Sequence, residues 1–147
     1  MPHNQGLQVS IVTPEGKTYE ESRVKTIIAP AILGEVAILP DHIPLFTKLR
    51  PGEVTIKGEG QEYTFAVFGG FMDVSIEGQV TILADFAKRS KDIDLQSARQ
   101  AQSQAEKLMQ KKNEYSKDEF ARIETSLKQA LFAIKIAEKR KGKSPNH

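Results

Sequence analysis

Residues 34–52 read GEVAILPDHIPLFTKLRPG, in which short apolar segments alternate with prolines at positions 40, 44 and 51. Proline fixes its own φ and keeps the preceding residue extended, so each one predicts a rigid turn between strands. Residues 69–85, GGFMDVSIEGQVTILAD, show a similar arrangement with glycines at the turns. Both stretches predict a region built from strands and tight turns.

Residues 1–87 are typical of β structure along their length. Apolar and polar residues alternate as in half-buried strands, and Gly or Pro separates the alternating runs. The predicted strands cover residues 7–11, 24–28, 54–57, 62–68, 71–76 and 80–83. Short, regularly spaced strands favour a β-sandwich or barrel over a parallel sheet. Gly69-Gly70 before Phe71 predicts a bulge or a close approach between packed strands.

The period changes near Asp94, and two amphipathic helices are predicted in an antiparallel hairpin. Asp92 or Asp94 is the expected N-cap of the first helix, and Ser116 with Glu119 forms a capping box for the second. Gly142 suits a helix stop. The predicted stripes are Leu95, Ala98, Ala101, Ala105, Leu108 and Met109, then Phe120, Ile123, Leu127, Ala130, Leu131, Ile134 and Ala137.

The formal charge of +2 over 147 residues conceals two halves of opposite sign. Residues 1–87 carry 6 Lys and Arg against 11 Asp and Glu, a net charge of −5. Residues 88–147 carry 15 against 8, a net charge of +7. We therefore predict a mainly β fold with added helices: a β-sandwich of residues 1–87 and a basic helical hairpin of residues 88–147 that meets something acidic.

The sequence offers few residues for catalysis. It contains no cysteine, which excludes disulfides, thiolate metal sites and cysteine nucleophiles. Asp41-His42 is the one adjacent acid–imidazole pair, but prolines flank it, and we expect Asp41 to initiate a turn with His42 hydrogen-bonded to a neighbouring loop. His3 and His147 lie at the termini, so no metal site is expected. Phosphate-binding glycine loops and serine-nucleophile motifs are absent, and we predict a protein that is not an enzyme.

No run reaches the roughly 18 apolar residues of a membrane span, and the start MPHNQGL lacks the order of a signal peptide. We expect the cytosol or an equivalent compartment. By charge alone, the basic hairpin could bind nucleic acid, an anionic membrane or an acidic protein face. Because no base-reading motif is present, we expect no nucleic-acid partner. An anion-binding adaptor that docks on nucleic acid is the alternative function.

Two motifs of the chain match the signatures of one family. Residues 34–47 fit G-E-x-G-I-L-P-x-H-x-P-L-x-T, except that Ala37 replaces a glycine. Residues 69–74 and 80–85 fit G-G-F-x-x-V followed by V-T-I-L-A-D. A β domain precedes a helical hairpin in that family too. Over nearly its whole length, the chain resembles the epsilon subunit of F-type ATP synthase.

The resemblance implies a non-catalytic subunit at the foot of the central stalk, bound to the gamma subunit and the membrane-embedded c-ring. The subunit would turn with the rotor and couple proton-driven rotation to ATP synthesis. Glu35 occupies the position whose loop touches the c-ring, and His42 lies in the neighbouring loop close to gamma. The complex would hold the chain on the cytoplasmic face of a bacterial inner membrane, as a peripheral membrane protein.

In this family the hairpin is regulatory: it is folded in one state and extended along gamma in another, where it blocks ATP hydrolysis. A continuous helix from Asp94 to Lys141 would reach about 70 Å at about 1.5 Å per residue, enough to pass from stalk to head. Arg122, Lys128 and Lys135 would then meet acidic residues of the beta subunit, with alpha nearby.

Some family members bind ATP on the hairpin through a motif resembling [IL]-D-x-x-R-A. Asp94 matches the motif, but Ser97 replaces its arginine and Arg99 comes two residues late. Two further arginines of those members align with Gln129 and Ala133. Because phosphate recognition depends on charge-assisted hydrogen bonds, we expect no cofactor and weak or absent ATP binding, with Asp94 and Arg99 the residues nearest to such a site.

Overall fold

The computed structural model describes residues 6–142, so His3 and His147 lie outside the described residues. The chain divides into two compact units, with the boundary between Arg89 and Ser90. Strands form the first unit and helices the second. The expected boundary at residue 87 falls inside the last strand of the first unit.

Ten strands form the described part of the first unit. They are β1 (Leu7–Thr13), β2 (Gly16–Val24), β3 (Thr26–Ala31), β4 (Gly34–Ile38), β5 (Leu45–Lys48), β6 (Gly52–Gly58), β7 (Gln61–Phe68), β8 (Phe71–Val74), β9 (Gln79–Leu83) and β10 (Phe86–Arg89). Two five-stranded sheets result, with strand orders β2-β1-β9-β8-β5 and β10-β7-β6-β3-β4. Paired strands run antiparallel, apart from the parallel pair β1 and β9. The predicted β-sandwich is confirmed.

The two sheets enclose one apolar core. In the first sheet Val9 and Ile11 of β1 pair with Val80 and Ile82 of β9, and all four are at most 1% exposed. The second sheet contributes Ile27, Ile38, Val54, Ile56, Phe65 and Val67. Each fully buried aliphatic or phenyl side chain stabilises the fold by about 1.5–3 kcal/mol. The alternation seen in the sequence is therefore the inward and outward alternation of a sandwich.

Strand β10 was not expected from the sequence. Its last residue, Arg89, pairs with Phe65, and the guanidinium lies over the Tyr63 ring, 4.3 Å from the centroid. Tyr63 in turn meets the ring of Tyr19 edge-on. Burial, helped by the nearby carboxylate of Glu21, raises the pKa of Tyr19 to about 12. The charge of Arg89, which the sequence assigned to the basic hairpin, thus belongs to the sandwich.

Gly69 and Gly70 lie between β7 and β8 with positive φ values of 70° and 113°. A Cβ on Gly70 would overlap the carbonyl oxygen of Leu83, and one on Gly69 would lie 2.7 Å from Oδ2 of Asp85. The predicted close approach between strands is confirmed. The glycines of the second signature are therefore required by packing, because a side chain at either position would collide with Leu83 or Asp85 of the same signature.

Two helices make up most of the described second unit. The elements are the 3₁₀ turn Ser90–Asp92, α1 (Leu95–Met109), the 3₁₀ turn Lys112–Glu114 and α2 (Lys117–Gly142). Contacts between α1 and α2 confirm the helical hairpin. The predicted stop at Gly142 coincides with the last described residue, so the residues after it lie outside the described range.

Side chains cap both helices where the sequence predicts it. Asp94, rather than Asp92, is the N-cap of α1, and its Oδ2 accepts a hydrogen bond from the Ser97 N–H at 2.8 Å. In the capping box, the Ser116 N–H donates to Glu119 Oε1 at 2.9 Å and the Glu119 N–H donates to Ser116 Oγ at 3.1 Å. The hydrogen bonds with Ser116 lower the pKa of Glu119. The hydrogen bond that the Glu119 carboxylate accepts is therefore at full strength at neutral pH and weakens as pH falls through that lowered value.

The helices bury mainly small side chains. The buried residues are Ala98 and Ala105 in α1 and Ala130, Ile136 and Ala137 in α2. The predicted stripes are wrong at Ala101, Leu108 and Leu131, which are exposed, and they omit Ile136. Because α2 packs on the 3₁₀ turn Ser90–Asp92 as well as on α1, its C-terminal part buries a wider face than a two-helix pattern predicts.

The substitution Gly70→Ala should destabilise the sandwich by more than about 3 kcal/mol, because the added methyl group has no room beside Leu83. Gly60→Ala is the matched control. Gly60 also has a positive φ, 71°, but nothing lies within 4 Å of its Cβ position, so the backbone cost alone applies. That cost is about 1–2 kcal/mol. Urea unfolding followed by circular dichroism measures both variants, and equal losses would contradict the packing constraint.

Candidate functional site

The turn between β3 and β4 is an exposed apolar tip formed by Ile32 and Leu33. Ile32 is 47% exposed and Leu33 98% exposed, and Gly34 closes the turn with a φ of 137°. Glu35 follows on β4, opposite Pro30, and is exposed. Turn positions favour Gly, Pro, Asn, Asp and Ser, so an aliphatic pair there indicates a contact surface. Sequence reasoning missed this pair, although two aliphatic residues just before a turn glycine were the available signal.

His42 lies in a tight turn after the other end of β4. The His42 N–H donates to the carbonyl of Leu39 at 3.0 Å, and Asp41 has a φ of 70°. With Pro40 second and Asp41 third, the arrangement matches a type II turn. The expectation that Asp41 initiates the turn is wrong, because Leu39 does. His42 Nδ1 lies 2.6 Å from the carbonyl oxygen of Ile43, within the same loop rather than a neighbouring one.

Strand β4 keeps Glu35 and His42 apart. Glu35 is beside the apolar tip, whereas the turn with His42 follows the opposite end of the strand. The extended chain from residue 35 to residue 39 spans about 13 Å at about 3.3 Å per residue. The second turn has exposed aliphatic residues of its own, Leu39 at 53% and Ile43 at 74%. The two residues therefore mark two separate surfaces.

The three cations assigned to an inhibitory contact are all exposed on α2. Lys128 and Lys135 are two helical turns apart and share one side of the helix, whereas Arg122 lies about 120° around the axis. Arg122 instead lines an apolar groove between the helices, together with Leu108 and Ile123. In this conformation the structure groups Lys128 with Lys135 and separates Arg122 from them.

Asp94 and Arg99, the residues nearest to the position of the family's ATP-binding motif, both make contacts within the hairpin unit. Asp94 Oδ2 accepts hydrogen bonds from the N–H and the hydroxyl of Ser97, the second at 2.7 Å. Arg99 Nη2 lies 3.2 Å from Oε2 of Glu138 on α2, in an exposed ion pair. The serine in place of the motif arginine thus stabilises the start of α1.

Arg140 makes a polar contact that sequence reasoning missed. From the last turns of α2 its guanidinium donates to the carbonyl oxygens of Ser90 and Ile93, the second at 2.9 Å. Ser90 is 6% exposed and Ile93 4%. A sequence does not show which distant carbonyls a side chain reaches, so this contact could not be predicted.

Residues 6–142 contain no group of three or more His, Asp or Glu side chains placed to hold a metal ion. Within the same range, neither helix combines the length and the apolar character that crossing a membrane requires. A concave region on the sandwich is lined by both positively and negatively charged side chains, including Lys17, Glu20 and Glu21.

Family models match both units of the chain. Residues 6–90 match the β-sandwich domain of the ATP synthase Delta/Epsilon chain, and residues 91–138 match its long α-helix domain. The junction of the two matches lies next to the structural boundary between Arg89 and Ser90. Sandwich and hairpin together define a chain of the Delta/Epsilon class of ATP synthases.

Several curated relatives are similar over most of the chain. The ATP synthase epsilon chain of Dehalococcoides mccartyi is 41% identical over 136 residues, which cover 92% of this chain and 94% of the relative. That of Pediococcus pentosaceus is 36% identical over 138 residues, covering 93% and 99%. That of Nitrosococcus oceani is 39% identical over 134 residues, covering 90% and 93%. The chain belongs to the ATP synthase epsilon chain family, as its two signatures implied.

Solved structures share the fold. A chain in the cryo-EM structure of Euglena gracilis mitochondrial ATP synthase, OSCP/F1/c-ring in rotational state 1, matches with a TM-score of 0.62 and 21% identity, over 91% of this chain and 81% of that one. A chain of the Tetrahymena thermophila mitochondrial ATP synthase central stalk/c-ring structure matches with a TM-score of 0.53 and 18% identity, over 61% and 71%. At these identities the likeness concerns the fold alone.

Proposed function

We propose that the chain is a non-catalytic rotor subunit in the central stalk of a proton-translocating ATP synthase. The observation behind this proposal is membership of the epsilon chain family over both domains. The structural matches come from ATP synthase assemblies that comprise the F1 sector, the central stalk and the c-ring, which supports the same placement. In this role the chain transmits rotation of the c-ring to ATP synthesis and takes part in ion transport without chemistry of its own.

The two ends of β4 are proposed as the two rotor contacts. The apolar tip of Ile32 and Leu33, with Glu35 beside it, would meet the polar loops of the c-ring, because these side chains are exposed together. The turn with His42 would meet the gamma subunit. Two contacts separated by a strand allow one rigid sandwich to bridge two rotor components. The sandwich would then be peripheral to the membrane and attached to it only through the complex.

The hairpin is proposed as the part that inhibits ATP hydrolysis by extending toward the beta and alpha subunits. Its packing favours such a change, because buried alanines provide little apolar area between the helices. A modest free energy of new contacts can then shift the population. Forming one continuous helix would require the capping box of Ser116 and Glu119 to break, since that box marks the start of a separate helix. Family membership over both halves argues against the adaptor alternative.

Adding truncated and full chains back to an epsilon-depleted complex tests the proposal. The truncation should end after Arg89, because a cut at residue 87 would remove Arg89 from its place over Tyr63. We expect both chains to restore ATP-driven proton pumping and only the full chain to inhibit ATP hydrolysis. Equal inhibition by the two chains would contradict a regulatory hairpin. Failure of both to restore pumping would contradict the rotor assignment.

Reversing the charges of Arg122, Lys128 and Lys135 to Glu should weaken inhibition about 10-fold, since each exposed ion pair contributes roughly 0.2–1 kcal/mol. The readout is the concentration of chain that half-inhibits ATP hydrolysis by the depleted complex. A control variant with Lys107, Lys111 and Lys117 reversed has the same net charge and equally exposed positions, so it should inhibit nearly as well as the unmodified chain. Undiminished inhibition by the first variant would rule out these contacts.

The hairpin should bind ATP weakly or not at all, because Ser97 stands at the motif arginine and caps α1 together with Asp94. Isothermal titration calorimetry of the full chain should give no micromolar binding. Installing arginine at Ser97, Gln129 and Ala133 should tighten binding at least about 100-fold, since charge-assisted hydrogen bonds contribute about 1.5–3 kcal/mol each. Micromolar affinity of the unmodified chain would refute the prediction.

A further inference from the structure

The two ends of the hairpin unit meet at one guanidinium group. Arg140, near the C-terminal end of α2, donates from Nη1 to the Ser90 carbonyl and from Nη2 to the Ile93 carbonyl at 2.9 Å. Both carbonyls precede the first residue of α1, in and just after the 3₁₀ turn Ser90–Asp92. The Ser90 carbonyl also accepts the Ile93 N–H at 3.3 Å. Arg140 thus connects the C-terminal part of α2 to the segment that precedes α1.

The chemistry of this contact makes it stronger than the Arg99–Glu138 ion pair, which joins α1 to α2. A planar guanidinium with two donors reaches two acceptors at once, and a charged donor strengthens each bond. Ser90 and Ile93 are almost fully buried, so water competes little for their carbonyls. In the Arg99–Glu138 pair the side chains are 60% and 53% exposed, and such surface pairs contribute little.

The packing between the helices fully buries few large side chains. Both buried residues of α1, Ala98 and Ala105, are alanines. Separating α2 from the start of α1 would leave two buried carbonyl oxygens without their charged donor. Losing charge-assisted hydrogen bonds is costly, so opening and loss of the Arg140 contact are coupled.

We propose that Arg140 is a latch that holds the hairpin closed, so that release of its guanidinium from Ser90 and Ile93 controls opening. The latch itself is a property of the isolated chain. Only its effect on ATP hydrolysis rests on the proposed inhibitory function. Arg140 acts here through hydrogen bonds to the chain's own backbone. It positions the hairpin and takes no part in chemistry.

Hydrogen–deuterium exchange of the isolated full chain tests the latch. Arg140→Gln should accelerate exchange at Ile93 and in the first turn of α1 at least about 10-fold, the effect of losing one charge-assisted hydrogen bond. Arg99→Gln is the matched control, since it removes an exposed arginine contact between α1 and α2 and should change exchange less than about 3-fold. Equal acceleration in the two variants would overturn the latch.

Arg140→Lys separates hydrogen bonding from charge. A lysine keeps the charge but lacks the planar fork, so its exchange should lie between that of Arg140→Gln and that of the unmodified chain. Exchange identical to the unmodified chain would show that charge alone matters and would overturn the two-carbonyl latch. Circular dichroism should show retained helix in both variants.

If Arg140→Gln does not fold, a distance measurement on Arg140→Lys tests whether the contact holds the hairpin closed. The chain contains no cysteine, so Gln96→Cys and Lys141→Cys, both at exposed positions, accept two spin labels without background. The labelled chain that retains Arg140 should give one short distance between the labels. The labelled Arg140→Lys variant should show an additional, longer distance. A single unchanged distance would overturn the proposal.

Assay in the complex distinguishes the latch from the proposed function. Arg140→Gln added back to epsilon-depleted enzyme should inhibit ATP hydrolysis more strongly than the unmodified chain. If the isolated variant opens but inhibition is unchanged, the latch stands and the inhibitory role of an open hairpin fails. If the variant neither exchanges faster nor shows a longer distance, the latch fails while the inhibitory role is untouched.

Discussion

Small side chains at the contact between α1 and α2 limit how much apolar area the hairpin can bury. A buried methyl-sized group contributes about 0.8 kcal/mol, against about 1.5–3 kcal/mol for a Leu or Ile side chain. Because α1 buries only Ala98 and Ala105 among its described residues, the helices depend on polar contacts at their ends. Arg140 joins the end of α2 to the segment before α1, whereas the capping box of Ser116 and Glu119 stabilises only the start of α2. A hairpin held in this way is suited to switching between arrangements.

The sandwich shows the opposite design. Its core is made of large aliphatic and aromatic side chains, and the glycines of the second signature let two strand segments approach without space between them. Dense packing of this kind permits one arrangement of the strands, so the sandwich is rigid. The family signatures fall in this unit, whereas Arg140, Ser97 and the exposed cations lie in the hairpin. The tightly packed core and the sparsely packed helices thus lie in different units.

Local patterns were predictable, and long-range contacts were not. The sandwich and both caps followed from alternation and from residues three positions apart, such as Ser116 and Glu119. Strand β10 was missed because four residues ending in Lys and Arg look like the start of the basic hairpin, and only pairing with β7 makes them a strand. The burial of Ile136 depends on the 3₁₀ turn as a third packing partner. The apolar tip at Leu33 was visible in the sequence but became meaningful only once its exposure was known.

The parallel pairing of β1 with β9 has a consequence for how the protein is made. β1 lies between β2 and β9, so one of its edges has no partner until the chain has been synthesised through Leu83. Contacts between residues far apart in sequence form slowly, because loop closure must precede them. Strand β1, which is synthesised before the other described strands, is therefore among the last of them to be fully paired. A ribosome-bound chain therefore keeps one unpaired edge of β1 until most of the sandwich has emerged.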